Sequence, residues 1–213
     1  IKIKRSYFSS DLIFYCLYRY LIVKKNMHFY NNNIISDRVF GNSFISKLSF
    51  TLLGVILLTA SAKITIPFYP VPMTLQTFVI YFMAASAGMI GFSSAFLYVI
   101  LGLAGLPLFA AGGGIGYIAS PTFGFLYGMV LASLFISYAA KNFFKDSFFK
   151  ILASVLIGAL IIFACGVLHL SIFTGISKAI TLGFMPFIFS ETLKIALAVF
   201  VTYALLKKTK QID

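Results

Sequence analysis

The 213-residue chain is 61% hydrophobic and 17% aromatic, with only 10% charged residues, whereas about a quarter of the residues of soluble globular domains are charged. Its net charge of +12 would mark a nucleic-acid surface in a soluble protein; in a chain this apolar, the bases are first read as markers of the cytoplasmic side of a membrane. The expected class is an all-α integral membrane protein, multi-pass in the cell membrane, with membrane lipid and no nucleic acid as partner.

In chain order, residues 1–43 read as a cytoplasmic or interfacial N-terminal segment. Its most apolar run, "DLIFYCLYRYLIV", is interrupted by Arg19 and falls short of the roughly 20 residues a spanning helix needs. It also lacks the small-residue cleavage pattern of a signal peptide. The chain begins with Ile, and Met27 precedes a polar, Asn-rich stretch. Residues 1–26 therefore read either as a lineage-specific interfacial segment or as a misassigned upstream extension.

Residues 44–206 read as a six-helix membrane domain. From Ile64 to Ala140 there are 77 consecutive residues without Asp, Glu, Lys, Arg or His, enough for three spans and their turns. A first span, about 44–62, stops at "KITIPFYPVPMT", where Pro67, Pro70 and Pro72 remove backbone donors and force an extended path. A second runs over about 74–90. Gly88 and Gly91 permit a tight turn into a third, about 92–106, which ends at Pro107 and the loop "LPLFAAGGGIGYIAS". Pro121 opens the fourth, where its missing N–H costs little. After "KNFFKDSFFK" come a fifth, about 151–173, and a sixth, about 184–206, followed by a basic cytoplasmic tail, 207–213.

The distribution of bases supports six spans with both termini cytoplasmic. Of 17 Lys and Arg residues, 14 lie before the first span, between the fourth and fifth, or after the sixth. Lys63 and Lys178 fall in outer loops, and Lys194 lies within the sixth span. Five or seven spans would split the basic clusters between the two sides.

Several chemistries are set aside. Cys16 and Cys165 are isolated and show no metal-like spacing to His28 or His169. His169 reads as an interfacial or hydrogen-bonded packing residue. No GxxxxGK[ST] phosphate loop is present. "GGGIG", Gly112 to Gly116, follows a span rather than a strand, so it reads as a flexible outer loop able to lie close to a ligand. No metal and no cofactor are expected, and an intramembrane enzyme is a remote alternative, because a single acid sits at membrane depth.

That acid is Glu191, one helical turn before Lys194 in the sixth span. Insertion scales put such groups at about 2.5–3.5 kcal/mol each at a helix centre, so the pair needs a reason. Residues three and four apart share a face, which places Phe187, Ser190, Glu191, Lys194 and Ala198 on one stripe. Thr74, Gln76, Thr77, Tyr98 and Thr122 are the other polar groups expected near the outer ends of spans. Together they predict a small polar pocket roofed by the Pro-rich and Gly-rich loops. The alternative is that Glu191 and Lys194 only neutralise each other.

"YPVPMTLQT" (69–77), "LYVILGLAGLPLFAAGGGIG" (97–116), "SPTFGFLYG" (120–128) and "GFMPFIFSETLKIALA" (183–198) resemble, in order and spacing, the signature runs of BioY, the biotin-specific substrate-binding (S) component of energy-coupling factor (ECF) transporters. The resemblance covers residues 44–206. It implies biotin capture from the outer side, with an ECF transmembrane coupling subunit and cytoplasmic ATPase subunits as partners. Where the family usually carries Gly-Asp-x-x-Lys this chain has "SETLK", which carries the binding role to Glu191 and Lys194. The "VPMTLQ" run, with Thr74 and Gln76, is similar to the family's lid. Ser120, Phe123 and Phe125 stand where the family favours Gly, Gly and Tyr.

Biotin's chemistry agrees with these residues. A carboxylate such as Glu191 can accept the ureido N–H groups, while Lys194 can donate to the ureido carbonyl or to the valerate carboxylate. Aromatics near Phe109, Phe187 and Tyr98 could bury the thioether ring. S components for thiamine or riboflavin are the nearer alternatives.

Overall fold

The computed structural model describes residues 44–143 and 147–210; the segment 1–43, and with it the reading of residues 1–26, lies outside them. Among the described residues seven α-helices follow one another: α1 Phe44–Lys63, α2 Gln76–Ala87, α3 Met89–Leu103, α4 Phe123–Asn142, α5 Phe148–Thr174, α6 Ile176–Gly183 and α7 Phe187–Lys210. Helices α1, α4, α5 and α7 are long and apolar enough to cross a membrane. Helices α2 and α3 are apolar but have 12 and 15 residues, about 18 and 22 Å at 1.5 Å per residue. The chain is a multi-pass helical membrane protein.

Six expected spans thus correspond to four long helices and two short ones, with an unforeseen seventh helix, α6, where a loop was expected. Its eight residues are too few to announce themselves by periodicity. Two of them, Ala179 and Gly183, are buried, and Gly183 lies against Leu170. Ile176 and Ile180, one turn apart, stay exposed.

The proline-rich connection after α1 folds back on itself. Strands β1 (Thr65–Ile66) and β2 (Met73–Thr74) pair antiparallel, Thr65 opposite Thr74 and Ile66 opposite Met73. This small hairpin leads from α1 into α2 within a bundle of apolar helices. Non-helical backbone at such a place is tolerated where it is buried in protein or lines a cavity, and this one does the latter.

Between α2 and α3 a single residue, Gly88, makes the reversal at φ +57°, a conformation L side chains rarely adopt. Its carbonyl accepts the Ser137 hydroxyl at 2.7 Å, fastening the turn to α4. Directly beyond it, a Cβ on Gly91 would come within 2.6 Å of the Ala84 backbone nitrogen, so the two helices touch backbone to backbone. Close approach of this kind drives helix association in lipid, where burying apolar surface between helices gains little. One turn further along α3, Ser94 donates to the Thr51 carbonyl at 3.1 Å beside Gly54, tying α1 to the bundle.

Helix α4 is central: 61% of its membrane-length window is buried, against 22% for α1 and 28% for α7. Its small residues Gly124, Gly128 and Ala132 run along α5. The outward faces of α1, α5 and α7 expose Leu52, Ile56, Leu160, Ile172, Phe189, Leu193 and Phe200. An apolar surface this continuous is unsuited to water and suited to hydrocarbon.

Candidate functional site

The first turns of α2, α4 and α7 converge, with the middle of α5 behind them, around a cavity of about 550 Å³ measured out to its open mouth. Its wall is mostly apolar, as the walls of small-molecule sites generally are: Val71 and Pro72 from the hairpin, Leu126 and Met129 from α4, Ile162 from α5. Three phenylalanines close one side. Phe187 stacks on Phe125 at 6.4 Å between ring centroids and meets Phe163 at 6.1 Å.

The polar end is built around α7. Glu191 is 4% exposed, and Lys194, one turn further on, reaches back so that its Nζ lies 3.2 Å from Glu191 Oε2. The ammonium also donates to the Thr74 carbonyl at 2.8 Å and to Thr77 Oγ1 at 3.2 Å. An ammonium has three N–H donors, so all three are engaged, and they join α7 to the hairpin and to α2. The other oxygen of Glu191, Oε1, accepts the Tyr81 hydroxyl at 2.8 Å. A charge pair with each partner hydrogen-bonded from outside the pair avoids much of the desolvation cost of burial. Gln76 completes the group: its Oε1 accepts the Thr74 hydroxyl at 3.2 Å and its Nε2 donates to Tyr98 at 2.7 Å. Because α2, α4 and α7 all begin here, the positive ends of their dipoles face the cavity, which favours negative groups nearby.

Of the residues singled out in the sequence, Thr74, Gln76, Phe187, Glu191 and Lys194 line the cavity. Tyr98 and Phe109 stand one layer behind. Tyr98 bridges Gln76 and the Leu108 carbonyl, to which it donates at 3.1 Å. Phe109 is fully buried between Tyr98 and Tyr117, centroids 5.4 and 4.7 Å away, and Lys63 holds its carbonyl at 2.7 Å. The residues 112–116 do not line the cavity. The amide of Gly114 instead bonds the Gly102 carbonyl at 2.7 Å, folding the loop onto the end of α3 and presenting Ala110 and Tyr117 to the cavity. His169 packs outside it, against Phe123, Tyr127 and Phe173, with Nε2 3.1 Å from the Ser120 carbonyl.

Sequence reasoning missed Tyr81, Tyr117 and Phe163, and marked Phe125 only as a departure from the family's pattern. Tyr81 had a signal, since it lies one turn from Thr77 on the same face of α2. Phe163 had none: the chain holds 25 phenylalanines.

Fold and cavity together define a helical membrane protein with a mostly apolar cavity that carries a buried charge pair at one end. The chain belongs to the BioY family, whose model matches residues 31–211. A biotin transporter BioY from Thermotoga maritima is 38% identical over 154 residues, 71% of this chain and 90% of the relative. A probable biotin transporter BioY from Pyrococcus horikoshii is 34% identical, covering 73% of this chain and 93% of the relative. One from Rickettsia prowazekii is 31% identical, with 72% and 80% covered. The crystal structure of the S-component for biotin from an ECF-type ABC transporter shares the fold, with a TM-score of 0.67 at 23% identity over 76% of this chain and 92% of that one.

Proposed function

We propose that this chain is a biotin transporter: it captures biotin from the outer side of the cell membrane and imports it as the S component of an ECF-type ABC transporter. It is not an enzyme. The observation that carries this reading is the cavity, apolar along most of its wall and holding the hydrogen-bonded Glu191–Lys194 pair at one end. Biotin has the same division, with a polar ureido ring, an apolar thioether ring and chain, and a terminal carboxylate. Glu191 has lone pairs left for the ureido N–H groups, and Gln76 has a second amide N–H to offer the ligand. The three phenylalanine rings around Phe187 suit the thioether ring.

In this reading α1 to α5 and α7 are the six spans, α6 lies at the outer surface, and both termini are cytoplasmic. Support comes from the lysines. Lys47, Lys141, Lys150, Lys207 and Lys208 lie at helix ends away from the cavity, as the positive-inside rule requires of a cavity that opens outward. The chain has no phosphate-loop motif, so concentrative import needs the transmembrane coupling subunit and the cytoplasmic ATPases.

Calorimetric titration of the purified protein with biotin, thiamine and riboflavin tests the assignment. Saturable binding of biotin alone is expected; binding of either other vitamin in its place would overturn it.

A further inference from the structure

The Glu191 carboxylate is gripped from two sides, by Lys194 from its own helix and by Tyr81 from α2. A carboxylate offers about four lone-pair positions, so about two remain. Tyr81 does not line the cavity and is fully buried, so it cannot touch a ligand there. A phenylalanine would fill the same space, and the hydroxyl's bond is to Glu191 at 2.8 Å. The reach is also particular to glutamate. Shortening the side chain by one carbon–carbon bond withdraws the carboxylate by roughly 1.5 Å, beyond hydrogen-bond range of that hydroxyl.

We propose that Tyr81 is a positioning residue for ligand recognition: it fixes the plane of the Glu191 carboxylate so that the unused lone pairs face the cavity and take paired N–H donors. The proposal deepens the biotin reading and rests on it. Held by Lys194 alone, the carboxylate can turn about its terminal torsion, which is broad, and meets paired donors in the right plane only part of the time. With Tyr81 on the second oxygen the plane is set before the ligand arrives. Binding then loses less freedom, the usual way in which preorganisation raises affinity.

Glu191 is the only glutamate in the chain, so carboxyl-¹³C glutamate gives a single-site infrared band for it. The experiment compares the parent with Tyr81→Phe in detergent micelles, reading the biotin Kd and that band. We expect Tyr81→Phe to raise the Kd about ten- to hundredfold, the range for a hydrogen bond to a charged group. The band of the ligand-free variant should be shifted and broadened. Tyr81→Met, flexible enough to fill the space of the ring without supplying a donor, should raise the Kd similarly and carries the test should Tyr81→Phe fail to fold. A Kd within twofold of the parent for either folded variant overturns the proposal. So does a raised Kd for Tyr81→Phe with an unchanged band, which would mean a packing effect. If the parent does not bind biotin at all, the functional reading falls, and this proposal with it.

Discussion

Replacing both members of the buried pair, Glu191→Gln with Lys194→Met, separates what the charges do for folding from what they do for the ligand. Lys194→Met alone removes three hydrogen bonds and leaves Glu191, 4% exposed, held by the Tyr81 hydroxyl. Stranding one member of a buried pair costs about 3–5 kcal/mol. In the double variant no charge is stranded, and the amide oxygen of the introduced glutamine can still accept from Tyr81. The Thr74 carbonyl loses its donor in both variants, a common loss of about 1 kcal/mol. The double variant should therefore melt close to the parent and well above Lys194→Met. Affinity should follow a different order. Truncating one partner of a buried, hydrogen-bonded charge pair costs about 2–5 kcal/mol in binding, roughly 30-fold to several-thousand-fold, and the double variant regains none of it. Circular-dichroism melts and biotin titrations on the three proteins read both orders. A double variant that binds biotin like the parent would refute the binding role, and the charges would then serve only each other. One that melts as low as Lys194→Met would refute the desolvation argument.

Gly91→Ala puts a Cβ 2.6 Å from the Ala84 nitrogen; forcing α2 and α3 apart should cost about 1–3 kcal/mol, seen as a lower melting temperature. Gly102→Ala drives a methyl group into the Phe109 ring, so we expect lower stability and a several-fold weaker biotin affinity transmitted through Tyr98 and Gln76, and an unchanged Kd would show that this layer does not support the site. Purified chain in liposomes should bind biotin without accumulating it until the coupling subunit and ATPases are added with ATP. Accumulation against a gradient by the chain alone would refute the dependence on partners.

Much of this protein is written in runs and punctuation. A composition with 10% charged residues selects a membrane solvent whatever the fold. Proline and glycine act on the backbone locally, so the first span's end near residue 62 and a turn in the region of Gly88 and Gly91 could be read directly; α1 ends at Lys63, while α2 ends at Ala87 and α3 starts at Met89, each about three residues before the expected bound. The spacing of Glu191 and Lys194 by one turn is likewise a property of one helix, and their salt bridge follows from it. What could not be read is which helices are neighbours. A soluble helix shows its inward face by an apolar stripe, but helices in lipid are apolar all round, and association depends on small residues and scattered polar contacts. Hence Tyr81, 110 residues away from Glu191 in the chain, looked like any other aromatic. Tyr98 and Phe109 could not be told from cavity-lining rings, and α6 passed for a loop. The contact of Lys194 with the Thr74 carbonyl, which joins α7 to the hairpin before α2, was decided by tertiary packing, because it links residues 120 apart in the chain.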